Sequence, residues 1–346
     1  MIKRRKTRLV KIGSVKVGGD SPVSIQSMTK VETSDVRAVV SQIKSLERCG
    51  CQIIRVAVKT IADARAIRDI KGKITIPLVA DIHFDYRLAL ESIASGADKI
   101  RINPGNMKRR EDIAAVVRSA KKAGIPIRIG VNSGSTSGDF VTSALRYVKL
   151  FEDLDFRDII ISLKGSSVAG TVEAYRRIAA GCDYPLHLGV TASGPYETGV
   201  VKSSIGIGAL LLDGIGDTIR VSLTAEPEEE VLSAKRILSS LGLRDFGHRI
   251  VSCPTCGRCK VDLVKVVNDL ERALHRRSEE AGTGTAPRRW ATIAVMGCEV
   301  NGPGEAKEAD IGIAFGSGSG MLFKKGKAVK KISVKNAIKE LLNEMD

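Results

Sequence analysis

The sequence predicts an α/β protein: an N-terminal (β/α)8 TIM barrel followed by a small α/β domain. Three observations carry that expectation. A short apolar strand followed by an amphipathic helix recurs through roughly the first 240 residues. Each strand ends on polar or charged residues. After Gly242 the recurrence stops and cysteines begin to cluster. A chain of 346 residues is long enough for two domains, here expected at 1–243 and 244–346.

The strands are expected in order at Ser21 to Met28, Cys51 to Val58, Ile76 to Phe84, Asp98 to Asn103, Ile125 to Asn132, Asp158 to Lys164, Pro185 to Thr191 and Asp217 to Ser222. Helical windows between them include Asp35 to Arg48, Arg87 to Ser95, Glu111 to Ala123, Ser143 to Leu154 and Glu226 to Leu241. Four of these five open on Asp, Ser or Glu, and several stop at a glycine such as Gly50, Gly96, Gly124 or Gly242. Eight such units close most naturally into a barrel, because one-handed crossovers cover a parallel sheet. A doubly wound open sheet is the alternative.

In a barrel of this kind the site lies at the carboxyl ends of the strands. Those ends carry Gln26 and Thr29, Arg55, Asp81 and His83, Arg101 and Asn103, Arg128 and Asn132, Ser162 and Lys164, His187 and Thr191, and Arg220 and Ser222. So many cations at one mouth are costly to bury unless an anion binds. Arginine forks suit bidentate phosphate contacts. The loops Asn103 to Asn106 and Asn132 to Ser135 add backbone donors near helix starts. The competing expectation for any one arginine is a structural ion pair.

Beyond Gly242, residues Arg244 to Ile250 lead into the turn Cys253-Pro-Thr-Cys256, with Cys259 close behind. Val261 to Leu274 is expected as a helix, Arg276 to Arg289 as a surface loop, and Ala291 to Met296 as a buried strand delivering Cys298. Ile311 to Phe315 is a further strand, Gly316 to Gly320 a turn, and Val334 to Met345 a closing helix. Thiolates at two-residue spacing face one metal centre without strain, and sulfur selects zinc, copper or an iron–sulfur cluster. A zinc site would have to recruit Cys259, because Cys298 has no Cys or His neighbour in sequence. Cys259 is either an alternative fourth ligand or a small hydrophobe one turn into the next helix. Cys49, Cys51 and Cys182 read as small core residues of the barrel or as incidental, rather than as ligands.

Charge and hydropathy limit the function classes. The net charge of +16 fits either a nucleic-acid binder or a solvated surface around a phosphate site. Aromatic residues at 4% leave few stacking platforms for single strands, so no nucleic acid is expected. The basic runs Lys3 to Lys6 and Lys324 to Lys331 read as solvated termini. No apolar run reaches membrane-spanning length and the N-terminus lacks a signal-peptide core, so the expectation is a cytoplasmic protein with no membrane partner. There thiols stay reduced and clustered cysteines mean metal or catalysis.

Two segments make a family resemblance specific: Ser252-Cys-Pro-Thr-Cys-Gly257 and Val295-Met-Gly-Cys-Glu-Val-Asn-Gly-Pro-Gly-Glu-Ala306. Together with Val23 to Thr29, Ala80 to Phe84, Ile100 to Asn106, Ile127 to Gly134, His187 to Thr191 and Gly216 to Ser222, they resemble the 4-hydroxy-3-methylbut-2-enyl diphosphate synthase family. The resemblance covers nearly the whole chain. It implies a reductive enzyme of the non-mevalonate isoprenoid pathway that opens 2-C-methyl-D-erythritol 2,4-cyclodiphosphate. It implies a [4Fe–4S] cluster on Cys253, Cys256, Cys298 and Glu305, with one iron open to substrate oxygen. It implies a diphosphate held by Arg55, Arg101, Asn103, Arg128, Asn132, Lys164, Lys202, Arg220 and Ser222. Asp81 and His83 share one strand end and are expected either to orient the departing hydroxyl or relay protons, or, for His83, to make a buried structural hydrogen bond. The resemblance also implies a head-to-tail homodimer in which each cluster domain closes the other chain's barrel. No strand-linked G-x-G-x-x-G is present, so the electrons are expected from a separate flavodoxin or ferredoxin. Three departures stand out: Thr191-Ala-Ser-Gly194 lacks a carboxylate the family often has at position 192, Cys259 is extra, and the 276–289 segment is long.

Overall fold

Asp35, Thr60, Asp85, Asp139 and Ser167 each turn a side-chain oxygen onto a backbone N–H of the following helix, so polar residues placed just after the strands start five of the barrel helices. The computed structural model describes residues 2–345 apart from 108, 133–138, 166, 192, 281–291, 300–303 and 305–308. The chain divides into two compact units, Met1–Arg244 and Asp245–Asp346.

The first unit opens with a hairpin, β1 (Val10–Ile12) and β2 (Val15–Val17). Eight parallel strands follow: β3 (Ser24–Met28), β4 (Ile53–Ala57), β5 (Leu78–Ile82), β6 (Lys99–Ile102), β7 (Ile127–Asn132), β8 (Ile159–Lys164), β9 (His187–Leu188) and β10 (Thr218–Ile219). Seven neighbouring pairs are laddered in the order β8-β7-β6-β5-β4-β3-β10-β9, and the bridge between Ile161 and Leu186 joins the two ends. The expected barrel is therefore the observed one, with each strand shorter than its expected window.

The barrel has a dry floor and a charged upper interior. Val10, Ile12 and Val17 of the hairpin pack on Ile53, Val79 and Ile160, whose side chains sit at the strand starts. Above them the inward-facing positions turn polar. Pairing sets Asp81 opposite Arg101, Arg101 opposite Arg128, and Asn132 opposite Lys164. Because strand side chains alternate with period two, Asp81, Arg101, Arg128 and Lys164 point into the barrel while Ile100, Ile102, Ile127 and Ile129 pack outward under the helices.

The N-terminal basic run is not a solvated terminus. Arg4 pairs with Asp217 at 2.9 Å and Arg5 donates to the Tyr184 carbonyl at 2.6 Å, so the run is pinned to the strand starts while Lys3 and Lys6 stay exposed.

The second unit is one five-stranded sheet in the order β11 (Arg249–Ser252), β12 (Thr292–Met296), β13 (Ile311–Phe315), β14 (Ser319–Lys324) and β15 (Lys327–Ser333). The first three run parallel and the last two antiparallel. The helix α9 (Leu263–Glu280), ninth in the chain, and the closing helix Ala337–Asn343 build its core through Leu263, Leu270, Leu274 and Leu341. Three expectations need correction here. Residues 276–280 continue α9 as helix rather than opening a loop, and 281–289 lie outside the described residues. The lysines from 324 to 331 sit on a hairpin. Its turn is Lys325-Gly326, both at positive φ. Cys259 precedes α9 instead of lying in it.

Candidate active site

Six basic residues stand around the inner mouth of the barrel: Arg55, Lys99, Arg101, Arg128, Lys164 and Arg220. Two carboxylates, Asp81 and Glu230, face them. Arg101, Arg128 and Lys99 are at most 1% exposed. Asp81 contacts Arg101 Nη1 at 3.1 Å and Arg55 Nε at 3.6 Å, and lies 3.7 Å from His83 Nε2. Glu230, from the helix Pro227–Ser240, takes Arg220 at 3.2 Å, Lys30 at 3.3 Å and the Leu223 N–H at 3.0 Å. Arg55 also directs Nε and Nη2 at the Met28 thioether.

Charge at this mouth is not balanced. Nε and Nη2 of Arg101, Nε and Nη1 of Arg128, Nε of Arg220 and Oγ of Ser162 are buried with no partner among the described residues. Burial pulls the Arg55 guanidinium down to about 9 despite Asp81, and Arg220 and Arg101 add to the pull. Arg128 is drawn well below its ordinary value by burial, then by Arg55 and Arg101. Burial alone would raise the Asp81 carboxyl, but Arg55, the His83 hydrogen bond and Arg101 hold it well below the usual range. His187 is kept neutral by burial and by Arg128, Lys99, Arg55 and Lys164. Guanidiniums do not shed protons in proteins, so the unrelieved positive potential suits a bound polyanion.

The structure brings Arg55, Arg128, Lys164, Arg220 and Ser222 onto one pocket, joined by Ser162, His187 and Thr191. Arg101 reaches the same centre through Asp81 and lies over Gly130, where a Cβ would stand 2.6 Å from its Nε. Asn103 is fully buried and accepts the Gly105 N–H at 3.1 Å, capping the turn after β6. Asn132 ends β7 beside Lys164. His83 stands at the rim with 44% of its side chain exposed. Lys202 is exposed on the helix Tyr196–Leu212 and does not line the pocket. Ala192 and Glu305 lie outside the described residues. Glu230, Lys99 and Met28 were not foreseen as site residues. Lys99 had a signal, since it faces inward two residues before Arg101. Glu230 had none beyond a run of acids at a helix start.

In the second unit, parallel pairing sets Ser252 opposite Val295, so Cys253 and Gly297 leave adjacent strands together. The loop then wraps Gly297. Its N–H points at Cys253 Sγ at 3.3 Å, Lys260 N–H donates to its carbonyl at 2.9 Å, and a Cβ on it would sit 2.5 Å from Cys259 Sγ. Cys298 follows, buried, while Cys256 is exposed on the turn. Thr255 holds φ +63 between the two turn cysteines, an uncommon conformation for a branched residue. Among the described residues no three Cys, His, Asp or Glu side chains converge on one metal ion. The donor set, three thiols at two adjacent strand ends with an N–H on one sulfur, fits a soft, multi-atom centre.

The family model described as the GcpE TIM-barrel domain matches residues 7–235, and that of the GcpE protein C-terminal domain matches 249–346. The 4-hydroxy-3-methylbut-2-en-1-yl diphosphate synthase (flavodoxin) of Bacillus cytotoxicus is 52% identical over 99% of this chain and 94% of its own. The protein of the same name from Fusobacterium nucleatum is 52% identical over 97% of this chain and 96% of its own. A dihydropteroate synthase structure from Stenotrophomonas maltophilia matches at a TM-score of 0.52 and 15% identity, over 68% of this chain and 98% of that one. At that identity the likeness is one of fold.

Proposed function

This chain belongs to the GcpE family, and on that premise we infer that it catalyses the reductive ring opening and dehydroxylation of 2-C-methyl-D-erythritol 2,4-cyclodiphosphate to (E)-4-hydroxy-3-methylbut-2-enyl diphosphate, with flavodoxin as electron donor. The observation that carries the substrate class is the excess of buried cations at the barrel mouth. In the reaction two electrons enter and a ring C–O bond breaks. The neighbouring hydroxyl leaves as water with one added proton. The opened phosphate keeps the extra negative charge.

Each residue then has a task. Arg55, Arg128, Lys164 and Arg220, with Ser222, hold the diphosphate and neutralise the charge that grows on it as the C–O bond breaks. Arg101 and the carboxyl-terminal edges carrying Asn103 and Asn132 complete the cradle. Asp81 keeps Arg55 and Arg101 in place and orients His83, which can hold or deliver a proton at the rim. Glu230 does the same for Arg220. Cys253, Cys256 and Cys298, with Glu305 as a weaker fourth ligand, would hold a [4Fe–4S] cluster. Bound there, it supplies electrons one at a time and Lewis acidity toward the departing hydroxyl.

The proposal extends to assembly as a head-to-tail homodimer. Arg244, the last residue of the barrel unit, donates to the Val23 carbonyl at the start of β3, so the chain leaves the barrel at the end away from the pocket. The proposal extends also to the cytoplasm, where clustered thiols stay reduced. No helix among the described residues is long and apolar enough to cross a membrane. Anaerobic incubation of brown, iron- and sulfide-containing protein with the cyclic diphosphate and reduced flavodoxin should yield the linear hydroxylated diphosphate, identified by mass. Absence of product with both flavodoxin and a chemical reductant would sink the assignment.

A further inference from the structure

We propose that the barrel mouth takes up one proton from solvent when the cyclic diphosphate binds, and that Lys164 receives it. This rests on the substrate class inferred above.

Few groups at the mouth can change charge. Lys164 stands on β8 and lines the pocket. From the strands around it come Arg55 on β4, Asp81 on β5, Arg101 on β6, Arg128 on β7, and His187 and Arg220 at the ends of β9 and β10. Four of those six are guanidiniums, which stay charged whatever the pH. Asp81 already serves Arg55 and Arg101. The free site can relieve its self-repulsion only at a lysine or a histidine. Burial, then Arg55, Arg101 and Arg128, pull Lys164 down to about 6, so in the free protein near neutral pH its amine is largely unprotonated.

Binding reverses the balance. Two negative charges beside Lys164 favour its ammonium form. The ligand cannot supply that proton. In a cyclic diphosphate each phosphorus carries one ester oxygen, one bridging oxygen and a single strongly acidic group, so its charge is fixed across the neutral range. Lys99 and His187 are the other candidates. Lys99 is fully buried below the pocket with Nζ on Gln26 at 3.3 Å. His187 is buried with its ring toward Thr218. The ammonium gained at Lys164 would also meet the extra negative charge released on the phosphate when the C–O bond breaks.

The sign follows from linkage. Below about pH 6 Lys164 is protonated before and after binding, and uptake vanishes. Above about pH 7 uptake approaches one proton per site, and affinity falls about tenfold per pH unit. The test is calorimetry of the cyclic diphosphate binding to the cluster-loaded protein without reductant, at pH 7.5, in buffers of different ionisation enthalpy. The wild type should show an enthalpy that depends on buffer with a slope of about one proton per site. Lys164→Arg, and Lys164→Met if the arginine disturbs the fold, should lose the slope, while His187→Gln keeps it. Cluster absorbance and unfolding midpoint verify the variants. Wild-type binding with no slope, or a slope that survives in both lysine variants, overturns the proposal and leaves the substrate class standing. No binding in any buffer would remove both.

Discussion

Gly297 shows how one residue can hold a cysteine turn in place. Its N–H points at Cys253, its carbonyl takes Lys260, and its missing side chain leaves room for the Cys259 sulfur. Gly297→Ala should therefore lower the stability of the C-terminal unit by about 1–3 kcal/mol, the usual range for overpacking. Adding Cys259→Ala should recover most of it, because the nearest atoms left would be Leu263 Cδ2 at 3.3 Å, which need give only a few tenths of an ångström, and the residue-259 Cβ at 3.4 Å. Thermal unfolding of the single and double variants checks this. The same geometry gives Cys259 a packing role, with Sγ 3.2 Å from the Val261 carbonyl. Cys259→Ser should keep the cluster's visible absorbance, whereas Cys253→Ser, Cys256→Ser and Cys298→Ser should each lose it. The cysteine spacing was legible in the sequence. The clamp was not, because it depends on β11 pairing parallel with β12, a contact between segments some forty residues apart.

At the scale of elements, the barrel was legible because a short apolar strand with a polar end, followed by an amphipathic helix, recurs along the first 240 residues or so. Lys99-Ile-Arg-Ile102 and Ile127-Arg-Ile-Gly130 place charge on one face and isoleucine on the other. What escaped depends on partners distant in sequence. The β1–β2 hairpin is three residues a side and gains its meaning only under Ile53, Val79 and Ile160. The β14–β15 hairpin was hidden by its lysines, which suit an exposed edge strand as well as a tail. Lys324 and Lys330 in fact pair with Glu344 at 2.5 and 2.8 Å. The N-terminal basic run divides the same way. Arg4→Ala should cost about 1.5–3 kcal/mol, since a charged hydrogen bond to buried Asp217 is lost. Lys3→Ala should stay within about 0.5 kcal/mol. Denaturant unfolding of the two variants separates a pinned strap from a loose tail.

Over the whole molecule, the +16 charge has a local meaning. Much of it is surface, but the part that matters is held inside the barrel at a cost in stability. A shared site between head-to-tail chains predicts complementation. Mixing Arg128→Ala with Cys298→Ser should restore activity to at most about a quarter of wild type, because about half the dimers are mixed and each has one intact pair. Proven subunit exchange with no recovery would require each cluster domain to serve its own barrel. The central claim is that the buried cations exist for a diphosphate and not for the fold. Unfolding midpoints of wild type and Arg128→Met, with and without the cyclic diphosphate, test it most directly. Replacing an uncompensated buried charge by an apolar side chain should leave the ligand-free variant as stable as wild type or more so, by up to about 4 kcal/mol. The rise in midpoint on adding ligand should shrink, reflecting about 1.5–3 kcal/mol of lost contact. A variant that is strongly destabilised without ligand, yet gains as much from it as wild type, would make Arg128 a structural residue and contradict the claim.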